Sequence, residues 1–444
     1  MAKSIFLLAD GTGNAAASPF KTNVWRLYQA IDQTGFDQIA FYTDGVGTET
    51  FKPLRALGGA FGIGLARNVK HAYQFLCRNY DDGDRIFLFG FSRGAFTVRI
   101  LADLILRCGI IVKAPNEHLL TDYVEHAYTE YKRDAAKRAT ATPATRWNIY
   151  GLWLRLFESN RRKWKKARLL PRVFWWKRWQ TGCLLPDSWQ TGRSDRRLGL
   201  HASGLRYIPR LISSELWDTV DAYGMPIDEL KVAIDKWLCP MTLADRKFPD
   251  DVRRACHALS LDDERPTFRP VLWTDPSVEP ERLMQVWFAG VHANVGGGYP
   301  DDGLAYVTLQ WIMREAVLVG ARFLPDHMAQ VDARCDAHGR QYSSRASLAG
   351  YYPYGPRNVD DLCNDPEHGV QVAIPVVHAA AWARISGRRV AYAPTSFPTR
   401  YLLAKSPTSD TPPQADIQAQ RTILLYLSEN LVGVGEKFLS NISA

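Results

Sequence analysis

The stretch Arg85-Ile-Phe-Leu-Phe-Gly-Phe-Ser-Arg-Gly94 decides the fold of this chain. The apolar run Ile86–Phe89 predicts a short buried strand, and the spacing of apolar residues over Arg93–Leu106 predicts a helix. Strand, tight turn and helix thus succeed one another within about six residues, a junction typical of a nucleophile elbow, in which a serine flanked by glycines stands on a sharp turn. The alternative is an ordinary strand-to-helix turn whose small residues serve only packing.

The residues on both sides of this junction alternate between short apolar runs and helical patterns, which indicates a mainly parallel α/β sheet. The predicted strands are Ile5–Ala9, Gln38–Thr43, Ile86–Phe89 and Gln285–Val291, and the predicted helices include Lys21–Ile31, Arg93–Leu106, Leu304–Val319 and a terminal helix over Thr422–Leu439. The pattern is interrupted after residue 127 and resumes at residue 211. We therefore predict an α/β fold, more narrowly an α/β-hydrolase-like sheet with one insertion.

The composition excludes several classes of protein. With 46% hydrophobic and 23% charged residues among 444, the chain is neither collagen-like, nor of low complexity, nor wholly disordered. No window approaches about 18 uninterrupted apolar residues, so no membrane-spanning helix is expected. The seven cysteines are scattered without a C-x-x-C pair, which argues against a disulfide framework or a zinc site.

The net charge of +9 conceals two regions of opposite charge. Residues 128–210 hold 20 Lys or Arg against five Asp or Glu, a local charge of +15, which leaves −6 for the rest. The same segment holds seven of the 14 tryptophans. Cations and indole rings favour the surface of an anionic membrane, so we predict a basic helical cap that contacts a membrane. The tryptophans expected at that contact are Trp164, Trp175, Trp176 and Trp179.

The composition of this segment allows two other interpretations. A solvated cap whose tryptophans pack on the core is the plain alternative. Nucleic acid is not expected as a partner, because no recognised binding module accompanies the charge. The predicted organisation is a core formed by residues 1–127 and 211–400, an inserted cap over 128–210 and a helical tail over 401–444.

A serine nucleophile needs a base and a group that orients the base. His292 follows a predicted strand and precedes three glycines, which predicts a position at the carboxyl edge of the sheet, and His378 is the second choice. Asp218, at the end of another apolar run, is the candidate acid. The chain order Ser92, Asp218, His292 is that of α/β-hydrolases. A packed histidine and a turn or helix-capping aspartate are the structural alternatives.

A serine nucleophile that attacks a carbonyl group also needs donors for the developing oxyanion. The amide of Arg93, at the start of the predicted helix, is one candidate. A second donor in this fold comes from an early strand-to-helix loop, where Gly11 and Thr12 are the candidates. A plain glycine turn is the alternative for that loop. Asp10 and Asp44 end strands ahead of the serine and are expected to shape the rim of the site.

Four separated blocks of this sequence resemble the phospholipase-like α/β-hydrolase catalytic domain of bacterial type VI secretion lipase effectors and their uncharacterised relatives. The blocks are Asp10-Gly-Thr-Gly-Asn14 with Asp44-Gly-Val-Gly-Thr48, Gly90-Phe-Ser-Arg-Gly-Ala95, Trp217-Asp-Thr-Val220 and Val286-Trp-Phe-Ala-Gly-Val-His-Ala-Asn-Val-Gly-Gly-Gly-Tyr299. Together they cover most of residues 4–320. The sequence departs from the relatives at Gly13, where an aromatic residue is common, and at Asn294, where many have aspartate.

The resemblance implies Ser92 as nucleophile, Asp218 as orienting acid and His292 as base in the hydrolysis of acyl esters, above all phospholipids, without a metal or other cofactor. It implies a lipid at a membrane surface as substrate, and a secretion-system or immunity protein as candidate partner. We expect a protein without a signal peptide that is cytoplasmic in the producing bacterium, with export to a target cell as an option. The alternative function is a catalytically silent module that binds lipid or protein.

Overall fold

The computed structural model describes residues 2–46, 58–111, 114–141, 205–206, 211–220, 247–274, 278, 282–345, 354–366, 370–372, 374–387 and 391–407. Within these ranges the strands are β1 (Ser4–Ala9), β2 (Gln38–Thr43), β3 (Arg85–Phe91), β4 (Ile110–Ile111), β5 (Leu205–Arg206), β6 (Leu211–Trp217), β7 (Val252–Ser260), β8 (Leu283–Phe288), β9 (Asn364–Asp365), β10 (Val370–Gln371), β11 (Val376–His378) and β12 (Leu402–Ala404). The helices are α1 (Asn23–Ala30), α2 (Gly58–Asn79), α3 (Arg93–Cys108), α4 (Glu117–Ala141), α5 (His292–Gly296), α6 (Gly303–Leu318), α7 (Pro325–Arg334), α8 (Val359–Cys363) and α9 (Ala379–Ser386).

The core of the fold is an eight-stranded sheet in the order β12-β11-β8-β7-β6-β3-β1-β2. Its strand pairings are parallel throughout. Parallel strands are covered on both faces, which explains why β1 and β3 read as nearly continuous apolar runs. The predicted α/β-hydrolase-like, mainly parallel sheet is therefore confirmed.

The two faces of the sheet bury different side chains of the same strands. On β1, Ile5 and Leu7 join a cluster formed with α2, α3 and α4. Phe6 and Leu8 point the other way, into a cluster formed with α1 and α6. This alternation follows from the two-residue period of a strand. The sheet is thus clamped between two helical layers, and its carboxyl edge carries the loops that connect them.

One predicted strand ends earlier than the sequence pattern indicates. The expected strand runs to Val291, whereas β8 ends at Phe288. Gly290 then takes a φ of 111°, a backbone conformation that turns the chain out of the sheet and that glycine adopts readily. His292 consequently begins the short helix α5 rather than following directly on a strand.

Two described elements lie near the expected domain limits. Helix α4 crosses residue 127 without a break, and Tyr128 and Tyr131 beyond that point lie buried in the core. The edge strand β12 lies inside the segment expected as a helical tail from residue 401. The four tryptophans predicted to contact a membrane and the helix predicted over Thr422–Leu439 lie outside the described residues. Among the helices that are described, none is both long and apolar enough to cross a bilayer.

Candidate active site

Ser92 stands on a strained turn between β3 and α3. Its backbone has a φ of 57° and a ψ of −123°, values that a residue with a side chain rarely adopts. The flanking glycines are required by close packing: a Cβ at Gly90 would lie 2.6 Å from the Cα of Ala95, and one at Gly94 would lie 2.1 Å from the carbonyl oxygen of Ala9. The turn therefore needs both glycines, and it holds the serine at the carboxyl edge of the sheet.

The structure brings Ser92, His292 and Asp218 into one hydrogen-bonded chain. The Oγ of Ser92 lies 2.7 Å from the Nε2 of His292. The Nδ1 of His292 lies 2.6 Å from the Oδ2 of Asp218. The three residues follow β3, β8 and β6, strands whose carboxyl ends meet at the same edge of the parallel sheet.

Asp218 is fully buried, yet its carboxylate is surrounded by donors. The backbone amide of Ser260 donates to Oδ1 at 3.1 Å, and the hydroxyl of Ser260 donates to Oδ2 at 2.9 Å. The guanidinium of Arg357 lies 3.5 Å from Oδ1. Burial by itself would raise the pKa of Asp218, but the charge of Arg357 and the hydrogen bond from His292 hold that pKa well below its ordinary value. Asp218 is therefore an ionised carboxylate, which accepts the Nδ1–H of the imidazole.

His292 is held between two aromatic rings. The ring of Phe91 lies 4.7 Å from the imidazole, and the ring of Phe268 meets it edge-on at 4.9 Å. Glycine is needed nearby, because a Cβ at Gly296 would lie 2.0 Å from the Phe91 ring. Burial lowers the pKa of His292, and the hydrogen bond to Asp218 offsets this only in part. The imidazole is therefore neutral near pH 7, with the lone pair of Nε2 facing the serine hydroxyl.

The loop after β1 lies against the start of α3, since a Cβ at Gly94 would also meet the carbonyl oxygen of Asp10 at 2.5 Å. The amide of Gly11, one of the candidate oxyanion donors, donates to Oδ1 of Asp10 at 2.6 Å and is thus engaged within its own loop. The hydroxyl of Thr12 is buried and has no hydrogen-bond partner in the described structure. Arg93 is the first residue of α3. Thr12 and Arg93 stay candidate oxyanion donors.

Asp10 organises this loop. Its Oδ2 accepts the hydroxyl of Thr22 at 2.6 Å and the hydroxyl of Tyr42 at 2.7 Å. Burial raises the pKa of Asp10 to about 6, although the hydrogen bonds from Thr22 and Tyr42 act in the opposite direction. The carboxylate therefore joins the loop to α1 and β2.

His378, the second-choice base, lies at the end of β11, four strand positions from β3. At about 4.8 Å per strand this amounts to about 19 Å. Its Nδ1 accepts the amide of Ala380 at 3.2 Å as the N-cap of α9, and its Nε2 lies 3.3 Å from the hydroxyl of Ser406. Burial lowers the pKa of His378 to about 3. The structure does not bring this histidine to Ser92.

Sequence reasoning missed three residues that surround the candidate base and acid: Arg357, Ser260 and Phe268. Arg357 lies in a polar, turn-rich stretch, and an arginine in such a stretch gives no sequence signal of a functional role. Ser260 and Phe268 lie on either side of Leu261-Asp-Asp-Glu-Arg265, a stretch without a recognised catalytic motif. Among the described residues, no group of three or more His, Cys, Asp or Glu side chains is arranged to hold a metal ion.

The chain is similar to known proteins over most of its length. A family model described as T6SS phospholipase effector Tle1-like, catalytic domain, matches residues 3–315. An uncharacterized protein of Saccharomyces cerevisiae is 25% identical over 403 residues, which cover 73% of this chain and 58% of the yeast protein. A crystal structure of an uncharacterized protein from Pseudomonas aeruginosa is 17% identical with a TM-score of 0.38, and the match covers 81% of this chain and 52% of that one. The chain thus spans less than two thirds of the length of these two relatives.

Proposed function

Because the chain belongs to the family of Tle1-like phospholipase effectors of type VI secretion, matched by their catalytic domain, we propose that it is a serine esterase that hydrolyses acyl esters, above all those of phospholipids. Family membership supports a lipase or phospholipase function. The observation that carries the narrower proposal is the hydrogen-bonded chain from Ser92 through His292 to Asp218.

The reaction follows from the protonation states of these groups. Neutral His292 accepts the hydroxyl proton of Ser92 as Oγ attacks the acyl carbonyl, and ionised Asp218 stabilises the imidazolium that forms. The tetrahedral oxyanion is stabilised by the amide of Arg93 and by a donor of Thr12. The imidazolium then protonates the leaving alkoxide, which leaves an acyl group on Ser92. Water, deprotonated by the same imidazole, releases the fatty acid and restores the serine.

Burial and geometry prepare the site for this chemistry before any substrate binds. Ser92 is only 5% exposed and His292 only 6%. In such surroundings the hydrogen bonds and charges act through a low effective dielectric, so they stabilise developing charge more than they would in water. The strained backbone of Ser92 keeps its oxygen directed at the base.

The biological setting belongs to the same proposal. An effector of this family is expected to be exported to a target cell and to meet its substrate in a membrane, with a secretion-system component and an immunity protein as candidate partners. Membrane contact through Trp164, Trp175, Trp176 and Trp179 rests on the composition of residues 128–210. All four of these tryptophans lie outside the described residues.

The experiment that tests this function measures fatty-acid release from phospholipid vesicles by the parent protein and by Ser92→Ala. We expect release by the parent and a loss of about 10⁴-fold or more in the variant, with thermal unfolding unchanged. A range of headgroups and acyl chain lengths should be offered as substrates. If the parent releases no fatty acid from any of them, the proposal is wrong and a binding module on the same fold is the remaining interpretation.

A further inference from the structure

We propose that Arg357 is a positioning residue for the esterase reaction, which fixes the Asp218 carboxylate and thereby governs how readily His292 accepts the serine proton. The inference rests on the proposed function and adds to it a residue that lies beyond the matched catalytic domain, residues 3–315. Arg357 reaches the site from the stretch just ahead of α8. No motif singled out in the sequence includes it.

Arg357 reaches the Asp218 carboxylate by two routes, both through the Nη1 of its guanidinium. Its Nη1 lies 3.5 Å from Oδ1 of Asp218 and donates to the hydroxyl of Ser260 at 2.6 Å. That hydroxyl donates in turn to Oδ2 of Asp218, the same oxygen that accepts from His292. Arg357 therefore reaches the carboxylate twice, once by charge and once through the serine.

Arg357 also contacts Phe268, a residue that packs against the imidazole of His292. Its Nη2 donates to the carbonyl oxygen of Phe268, whose ring packs edge-on against His292. The arginine side chain is only 4% exposed, so these bonds are shielded from water. One guanidinium thus holds both the carboxylate and one of the two rings that orient the base.

Arg357 supplies a positive charge that balances the Asp218 carboxylate, whereas the other two charged groups that face His292 pair with each other. Facing His292 are Asp218, Asp263 and Arg265. Asp263 is paired with Arg265, which donates to both of its oxygens. Asp262 and Asp263 also feel the charge of Arg357. Among the described residues, His257 also interacts with Asp218; its Nε2 accepts the amide of Thr219, and burial lowers its pKa to about 3, so it is neutral.

Loss of the Arg357 charge should therefore change the protonation of His292. With Arg357 present, the negative charge of Asp218 is balanced while the imidazole is neutral. Without it, the same buried carboxylate is balanced by an imidazolium, so the pKa of His292 rises and less base is available at neutral pH. Arg357 and His292 lie on opposite sides of the same carboxylate, and removal of a buried unit charge at that distance should raise the pKa of His292 by about one unit.

The test is the pH dependence of labelling by a fluorophosphonate probe, measured on the full chain for the parent and four variants. Arg357→Gln removes the charge and keeps an amide donor. Arg357→Lys keeps the charge, and Ser260→Ala cuts the hydroxyl link with little change in volume. Arg384→Gln is the matched control, because Arg384 is equally buried but donates to the carbonyl oxygens of Ala337 and Gly339.

The acid limb of the profile is the pH range in which the labelling rate falls as His292 becomes protonated. In Arg357→Gln we expect this limb to move up by about one pH unit, with much of the labelling rate recovered at alkaline pH. Ser260→Ala should move the limb in the same direction by less, and it carries the test if Arg357→Gln does not fold. Arg357→Lys and Arg384→Gln should leave the limb where the parent has it.

Two results would overturn the inference while leaving the function intact. In the first, the parent is labelled, and the acid limbs of Arg357→Gln and Ser260→Ala coincide with that of the parent. A variant that is labelled more slowly by the same factor at every pH belongs to this result. The other is a limb that moves as far in Arg357→Lys as in Arg357→Gln. A parent that is not labelled at any pH contradicts the proposed function itself.

Discussion

The Nε2 of His292 lies 2.7 Å from the Oγ of Ser92, although 200 residues separate the two in the sequence. The contact depends on the parallel sheet, which brings the carboxyl ends of β3 and β8 to one edge, and on the turn at Gly290 that ends β8 early. With the Nδ1 of the same imidazole bonded to Asp218, the serine faces the free lone pair of a neutral ring.

Asp218→Asn should abolish most of the activity while preserving the fold. An asparagine amide can donate to Nδ1, which moves the imidazole proton to Nε2 and leaves no lone pair for the serine hydroxyl. We expect turnover of a soluble p-nitrophenyl ester to fall by about 10⁴-fold. Asp301→Asn, at an exposed position, serves as the control and should match the parent. A loss smaller than about tenfold would argue that Asp218 does not orient the base.

His378→Asn should leave the esterase activity close to that of the parent, because His378 caps a helix four strands from β3. An asparagine side chain can accept the same amide, so the cap is retained. Activity on the soluble ester decides between the two histidines. A loss comparable to that of a His292 variant would make His378 the base.

The same variant should be less sensitive to acid. Because burial lowers the pKa of His378 to about 3, the unfolded chain binds a proton first, and stability is lost as the pH falls below about 6.5. At pH 5 this costs about 2 kcal/mol, which His378→Asn should recover. Urea unfolding at pH 7.5 and pH 5 measures the difference. Equal losses in parent and variant would show that His378 is not buried in its neutral form.

Asp10→Asn should lower kcat through the oxyanion loop. The carboxylate accepts the amide of Gly11 and two hydroxyls, and an amide nitrogen in place of one oxygen would face a donor. We expect kcat to fall by about tenfold or more with a smaller change in KM, since the oxyanion donors act in the transition state. Tyr42→Phe removes one of the three bonds and should have a smaller effect. An unchanged kcat in Asp10→Asn would show that this loop does not stabilise the oxyanion.

The tryptophan-rich segment should bind anionic membranes. Replacing Trp175, Trp176 and Trp179 together by alanine removes indole rings that favour the interface, so binding to phosphatidylglycerol vesicles should weaken at least tenfold. Trp189→Ala, in the same segment but outside the group, is the control. Binding of the parent should also fall with added salt, because the local +15 acts through screened charges. Undiminished vesicle binding by the triple variant would contradict the proposed contact.

The sheet and the elbow could be predicted because their signals are local. Residues adjacent to Ser92 in the sequence form the buried strand before it and the helix after it. Parallel strands that are buried on both faces appear in the sequence as continuous apolar runs. The choice between His292 and His378 was harder, because each follows an apolar stretch. Only the order of the strands separates them, and that order is set by pairing between distant parts of the chain.

The groups that support the candidate acid and base could not be predicted for a related reason. The hydroxyl of Ser260 reaches Asp218 because β6 and β7 pair with Trp217 opposite Ala258, a register that no local pattern specifies. Arg357 arrives from a stretch without regular periodicity. The engagement of the Gly11 amide by Asp10 is likewise a matter of loop geometry, since a glycine-rich turn alone does not indicate which amide is occupied.

Mass spectrometry of the protein after reaction with a fluorophosphonate probe tests whether Ser92 is an activated nucleophile. This role of Ser92 predicts a single adduct on the peptide that contains it, formed rapidly by the parent, slowly by Asp218→Asn and not at all by Ser92→Ala. A folded parent that stays unmodified, or an adduct on another residue with Ser92 intact, would contradict it.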